Sequence, residues 1–430
     1  MTNISESTKN DKAWEKLFDT LPILQSIESN GFYEITSTQI NQYREARLMT
    51  KFDHRINLPK LFSDNDLAIL PVTRGSYVIS KFDAYKDFEE IDTQIHRASF
   101  PEYIESIDYD NITSEAMAIN CAFVSNVFAD FLEDEQLLPT VSGRMSSSSF
   151  NFKIKNTFTN RNVSVDVANS QIEIDGGYEG LRGLAIIEAK NFISDDFLIR
   201  QLYYPYRLWS SNISKIVRPV FLVYSNGIFS LYEYQFQDPN NYNSLILIKQ
   251  KNYSIEAVEI SLNDILTVLN RDILVNEPEV AFPQADSFRR VINLCELLSE
   301  GEKTRDEITL NYAFDPRQTN YYTDAGRYLG LIVKRNEGRL PVYSLSDEGR
   351  RILRMKYKAR QLKYVELILR HNVFKETLKK HLDYGEMPPK AEIVNIMKQS
   401  NLFNVGADST YERRASTVSG WVNWILELQR

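Results

Sequence analysis

QIEIDGGYEGLRGLAIIEAK, residues 171–190, is the stretch around which the rest of the chain is organised. It reads as two short strands joined by a glycine-bearing connection. Gln171 to Asp175 alternates polar and apolar residues and ends on an acid; Leu184 to Lys190 is an apolar run that closes on Glu188-Ala189-Lys190. Alternate side chains of a strand share a face. Glu188 and Lys190 therefore point the same way, and Asp175 can meet them across the hairpin. Two carboxylates and a lysine at the mouth of a sheet suit a divalent cation and an activated water. The same residues also read as strand-closing acids and a solvated Glu-x-Lys ion pair, so the flanking sequence has to decide.

The chain has 430 residues, enough for two to four domains, and its 43% hydrophobic and 12% aromatic content is that of a globular protein. The sequence predicts no membrane span and no signal peptide. Cys121 and Cys295 are the only cysteines and stand far apart, which points to a reducing cytoplasm and away from a disulfide framework or zinc cluster. The four histidines show no metal-ligand spacing. A catalytic metal would thus have oxygen ligands, with Mg²⁺ the default. Net charge is −8, yet Arg350 to His381 holds eleven Lys or Arg against two Glu. That segment reads either as a phosphate contact or as a solvated helix face. A phosphate loop of the G-x-x-x-x-G-K-[ST] kind is absent, which argues against ATP-driven translocation. Asp238-Pro239-Asn240-Asn241-Tyr242 resembles a methyltransferase motif but lacks its second proline and any glycine-rich cofactor loop, and reads as a turn.

Taken in order, residues 1–10 predict a disordered tail and 11–60 predict helices, with Thr36-Ser37-Thr38 capping one over Gln39 to Met49. Met117, Cys121, Val124, Phe128 and Phe131 predict an amphipathic helix over 114–133, with Ser114 as cap and Glu115 in its first turn. A polar stretch, Val141 to Ser149, carries Arg144. Strands follow at Phe150 to Ile154 and Asn162 to Val167, then the central hairpin. Phe192 to Trp209 reads as a helix bearing Gln201, Tyr203, Tyr204 and Tyr206, with Pro205 kinking it or marking its local end. Ile216 to Tyr224 and Gly227 to Tyr234 pair across an Asn226-Gly227 turn. The fold class is α/β with a mixed sheet.

Composition changes after Pro283. Helices over Asp286 to Leu298, Thr304 to Leu310 and Asp315 to Leu331 precede a hairpin at Ile332 to Leu345, which is the winged-helix pattern. Its third helix would offer Arg317, Gln318, Asn320, Tyr321, Asp324 and Arg327 to base edges, and Lys334 on the wing would touch phosphate. Winged helices also bind proteins, and that reading stays open. Basic helices follow, and Ser409 to Leu426 resembles a second recognition helix, with Arg413 and Arg414 exposed and Trp421 and Trp424 facing inward; a packing helix with a basic edge is the alternative. The expected divisions are 1–110, an N-terminal region packing on the core; 111–275, the core; 284–355, the winged helix; and 356–430, a basic helical region holding a second helix-turn-helix-like module.

Asp175 with Glu188-Ala189-Lys190 resembles the PD-(D/E)XK nuclease signature, with Ile174 in place of its proline. Gln201 with Tyr204 and Tyr206 resembles the Q-x-x-x-Y-type element of that fold, at non-standard spacing. EARLMTKFDHRINLP (45–59), ILPVTRGSYVI (69–79) and SGRMSSSSFNF (142–152) look like segments of bacterial type II restriction endonucleases. The resemblance implies site-specific, Mg²⁺-dependent hydrolysis of double-stranded DNA in defence against foreign DNA. It implies a metal held by Asp175, Glu188 and the Ala189 carbonyl, Lys190 stabilising charge, and Gln201 and Glu115 completing the site, with Glu173 as a further acid. It also implies a homodimer on DNA and a separately encoded DNA methyltransferase. A modification-dependent anti-phage DNase and a non-catalytic winged-helix DNA-binding regulator are the competing readings.

Overall fold

The structure is a computed structural model describing residues 8–338 and 340–429. Most of the tail expected over residues 1–10 lies outside them, but Thr8 already caps a helix that begins at Lys9. The first region packs helices α1 (Lys9–Thr20), α2 (Ile23–Asn30), α3 (Ser37–Asn41), α4 (Ala46–Thr50) and α5 (Lys60–Asp64) against an antiparallel sheet ordered β1 (Tyr33–Thr36), β3 (Ser76–Ser80), β2 (Ala68–Pro71). β1 corrects the all-helical reading of 11–60. Thr36 does cap a helix, accepting from the Gln39 N–H at 3.3 Å, but that helix stops at Asn41. Trp14, fully buried, donates its indole N–H to the Met49 carbonyl at 3.0 Å and so fixes the end of α4.

The middle of the chain is a seven-stranded mixed sheet. Its order is β5 (Ile95–Arg97), β14 (Leu245–Ser254), β13 (Ile228–Phe236), β12 (Ile216–Ser225), β10 (Gly183–Lys190), β9 (Gln171–Glu179), β6 (Leu138–Ser146). β10 runs parallel to β12 and β14 to β5; the other neighbours are antiparallel. The β12–β13 turn is Asn226-Gly227 with φ of 53° and 78°, as its sequence predicts. The polar stretch 141–149, whose sequence predicts no element, belongs to β6 as far as Ser146; it is polar because β6 is a sheet edge. β7 (Ser149–Lys155) and β8 (Asn162–Ala168) form a separate two-stranded ribbon, and β11 (Asp196–Leu198) pairs with β4 (Tyr85–Asp87).

Helices cover both faces. On one lie α6 (Glu115–Val124) and α7 (Val127–Leu132), packed on Ala185, Ile187, Ala189, Val220 and Leu222. The single helix expected over 114–133 is thus broken, at Asn126, whose φ of 59° is left-handed. On the other face lies α8 (Arg200–Asn212), which starts later than expected because β11 occupies the chain before it, and which runs on through Pro205 instead of ending there. Its Tyr203 and Tyr204 are core side chains, packed with Phe152 of the ribbon.

α9 (Leu262–Leu269) leads to a mostly helical region: α10 (Phe288–Ser299), β15 (Lys303–Thr304), α11 (Arg305–Asn311), α12 (Pro316–Tyr328), β16 (Ile332–Glu337), β17 (Leu340–Leu345), α13 (Asp347–Leu353), α14 (Tyr357–Leu369), α15 (Asn372–Tyr384), α16 (Lys390–Lys398) and α17 (Asp408–Glu427). Its buried side chains form one cluster from Ile260 to Leu428, shared across the 355/356 division. The molecule is thus mixed α/β, with a large mixed sheet followed by C-terminal helices. Among the described residues no helix is long and apolar enough to cross a membrane.

Candidate active site

β10 is buried along its whole length, between β9 and β12. Its odd-numbered residues, Ala185, Ile187 and Ala189, face α6 and α7, whereas Leu184 and Ile186 face Tyr206 and Trp209 of α8. By the same alternation Glu188 and Lys190 point to the α8 side. The β9–β10 ladder runs from Leu184 opposite Glu179 to Ile187 opposite Gly176 and then stops. Asp175 comes next, and its Oδ2 accepts from the Ala189 N–H at 2.9 Å. The carboxylate thereby anchors itself on the Glu-Ala-Lys segment where the backbone pairing ends.

Lys190 Nζ donates to Glu188 Oε1 at 2.5 Å and to the Ala189 carbonyl at 3.2 Å. Gln201 Nε2, in the first turn of α8, donates to the same Glu188 oxygen at 2.6 Å. Gln201 is placed by the chain before it: Leu198 N–H donates to the Asp53 carbonyl and Ile199 N–H to that of Ala84. The remaining amide oxygen, Gln201 Oε1, is shielded from solvent and has no hydrogen-bond partner among the described residues.

Two further carboxylates reach the cleft. Glu115, at the start of α6, is raised above its ordinary value by burial and by Asp175, against the pull of Lys190. Asp53, after α4, was missed by sequence reasoning, which had no signal for it beyond its position in the 45–59 segment. Burial works to raise Asp53, but Lys51, Lys190 and Arg200 outweigh it and hold the carboxyl below the usual range. Burial dominates at Glu188, with Asp175 and Asp53 adding to it against Lys190, so this carboxyl is pushed up to about 8. Burial works against the Lys190 charge, but Glu188, Glu115, Asp53 and Asp175 together raise its pKa, so it is an ammonium. These groups line a cleft of about 260 Å³ together with Arg47 and Lys51, the latter 3.6 Å from Asp53. Glu173 and Arg144 stand at its rim, half exposed and paired with each other at 3.2 Å.

Among the described residues no three His, Cys, Asp or Glu side chains form a ready-made metal cluster. The donors present nonetheless fit Mg²⁺, which takes one or two carboxylates and completes its shell with water and phosphate oxygens. Asp175 and Glu188 supply oxygen donors, and a cation would offset the burial, and after it the neighbouring Asp175 and Asp53, that disfavour the Glu188 carboxylate.

Residues 80–254 match a domain of unknown function, DUF6997, which contains the cleft residues Glu115, Asp175, Glu188, Lys190 and Gln201 but not Arg47, Lys51 or Asp53. Residues 11–79 match DUF6996 and residues 290–430 match DUF7226, also domains of unknown function. No curated protein and no solved structure matched.

The residues expected to contact DNA lie elsewhere, save Arg144. On α12, Asp315 caps the helix by accepting from the Arg317 and Gln318 N–H groups, both at 2.7 Å. Arg317 is exposed there, Asn320 and Tyr321 are half-buried, and Arg327 pairs with Asp324 at 2.7 Å. Lys334 is exposed on β16. Arg413 is exposed on α17, and Arg414 is half-buried close to Tyr321 and Asp324 of α12. Burial, with Arg413, lowers the Arg414 pKa against those two groups. Arg414 of α17 thus lies within electrostatic reach of α12. Trp421 and Trp424 are core, packed on Phe288. The basic segment is mostly neutralised within the molecule: Lys356 pairs with Asp110, Lys358 with Asp264, Lys363 and Arg370 with Glu366, and Lys380 with Glu392.

Proposed function

We propose that this chain is a Mg²⁺-dependent, site-specific endonuclease of double-stranded DNA, of the type II restriction class. In this reading the mixed sheet with α6 and α8 is a PD-(D/E)XK-type core, and α10 to β17 is a winged helix. The observation that carries it is the convergence of Asp175, Glu188, Lys190 and Gln201 in one cleft, with Gln201 and Lys190 on the same Glu188 oxygen. That arrangement goes beyond a solvated ion pair, because both members are about nine-tenths buried and a third polar side chain is spent on holding them.

Phosphodiester hydrolysis needs charge stabilised on phosphorus and a water made nucleophilic. The Asp175 and Glu188 carboxylates and the Ala189 carbonyl would hold Mg²⁺, which when bound lowers the pKa of water and polarises the phosphate. Lys190, kept charged by its acidic neighbours, offsets negative charge on the phosphate oxygens and orients the attacking water. Gln201 fixes the Glu188 rotamer. Glu115 closes the site from the other face of the sheet. Exposed Arg317 and Lys334 suit base and phosphate contact. Cutting both strands calls for two such sites, hence a homodimer on DNA, and a separate methyltransferase would protect host DNA.

The test is digestion of unmodified and of modified phage DNA by wild type and Lys190→Ala, with Mg²⁺ and with EDTA. Discrete fragments from wild type alone, abolished by EDTA, are expected, with Lys190→Ala slower by about 10²–10³. Intact DNA of both kinds after incubation with folded wild type would overturn the proposal.

A further inference from the structure

A second and larger groove, of about 640 Å³, opens beside the cleft. One wall is the N-terminal region around α4. The other is α11 and the first turn of α12, reached at Asp315 and Pro316. Arg47 and Lys51 line both the cleft and this groove, so the two are continuous.

The charges in the groove are unevenly committed. Asp11 is spent: Oδ2 accepts from Thr8, and Oδ1 from the Lys60 N–H at 2.7 Å. Asp315 is spent as the α12 cap. Arg55 pairs with Asp87 and Asp196, and Lys60 with Asp64. Arg44 and Arg47, by contrast, have no carboxylate at ion-pair distance among the described residues. Arg47 is exposed. The Arg44 Nη1 group is shielded from solvent with no hydrogen-bond partner among the described residues, a donor whose desolvation none of them offsets. Among the described residues Glu45 is the one acid lining the groove whose carboxylate has neither such a hydrogen bond nor an ion pair.

We infer that this groove carries the sugar–phosphate backbone of the DNA strand that runs between the cleft and α12, with Arg44 and Arg47 as its phosphate contacts. The inference rests on the nuclease reading and deepens it by giving the N-terminal region a substrate-holding role. A phosphate oxygen is the acceptor that matches a planar guanidinium fork, and unpaired arginines leading from a cleft to a helix mark a track for repeated anions. The groove reaches the same helix that carries Arg317 and Gln318.

The measurement is equilibrium binding of a fluorescein-labelled DNA duplex, in EDTA to prevent cutting, over a series of salt concentrations. Wild type is compared with Arg44→Gln, Arg44→Lys, Arg47→Gln and the double Gln variant. Each lost phosphate contact is expected to flatten the slope of log K against log salt by about 0.9, and the double variant by about twice that. Arg44→Lys, which keeps the charge, should retain the slope. Arg47 is exposed, so Arg47→Gln remains informative even if Arg44→Gln fails to fold. Wild-type binding with normal salt dependence, together with an unchanged slope in Arg47→Gln and in whichever Arg44→Gln proteins fold, would overturn this inference and leave the nuclease reading standing. Wild type that binds no duplex at any salt would overturn both.

Discussion

Glu188 is where burial and charge compete most directly. Its carboxyl is pushed from the ordinary 4.5 up to about 8 by burial first, with Lys190 only partly offsetting it. Because the folded value lies above the unfolded one, the folded chain keeps a proton that the unfolded chain has released between about pH 4.5 and 8. Stability therefore falls as pH rises through that window. Glu188→Gln cannot ionise and should escape this loss. Thermal melts in EDTA should show the gap in wild type's disfavour growing from pH 5 to pH 8, on top of a pH-independent cost to the variant of depriving Lys190 of a carboxylate partner. A gap that widens on acidification would mean that Glu188 is held ionised in the free protein. At this scale the sequence shows much: the period of two places Glu188 and Lys190 on one face, and the structure has them in contact. Asp53 was invisible, since it sits more than a hundred residues from Lys190 and its neighbours there are set by packing alone.

At the scale of elements, the sequence marks helices by their apolar spacing and turns by their residues. Asn226-Gly227 was legible because only residues tolerant of positive φ make that tight turn. β1, β6 and β11 were not, because short or edge strands lack enough buried positions to show a period. Close helix packing is likewise written in one residue. A Cβ at Gly420 of α17 would stand 2.4 Å from the Asp286 carbonyl oxygen. That approach lets Trp421 donate to the Ala285 carbonyl at 2.7 Å and Thr417 to Asp286 Oδ1 at 2.9 Å. Gly420→Ala should cost about 1–3 kcal/mol from overpacking against backbone, exceeding the ~1 kcal/mol that alanine contributes to a helix. Urea unfolding checks this, and a raised midpoint would refute it.

At the scale of the whole molecule, the C-terminal helices grip the chain that leaves the site. Asn293 of α10 accepts from the Ile193 N–H and donates to the Asn191 carbonyl, both at 3.0 Å, directly after Lys190. Phe192, between them, joins the C-terminal core beside Tyr312. Asn293→Ala leaves these backbone groups without their partner, at a cost of about 1–3 kcal/mol. Under the nuclease reading, single-turnover cleavage should slow by about tenfold, while duplex affinity in EDTA stays within twofold of wild type. Equal losses in both would show Asn293 acting on overall folding instead.

What the sequence determined by itself is what short-range chemistry dictates: the β9–β10 hairpin, the shared face of Glu188 and Lys190, the Asn-Gly turn and the run of helices after Pro283. These follow from side-chain periodicity and backbone preference, which act over a few residues. Only tertiary structure decided which charges are free. The basic run from Arg350 to His381 stands out in the sequence, yet Asp110, Asp264 and Glu392 reach it across the fold and neutralise much of it. Arg47 falls in the 45–59 segment, but nothing there singles out its charge or that of Arg44, and among the described residues neither has a carboxylate at ion-pair distance. Ion pairing depends on distance in space, and folding alone sets that distance.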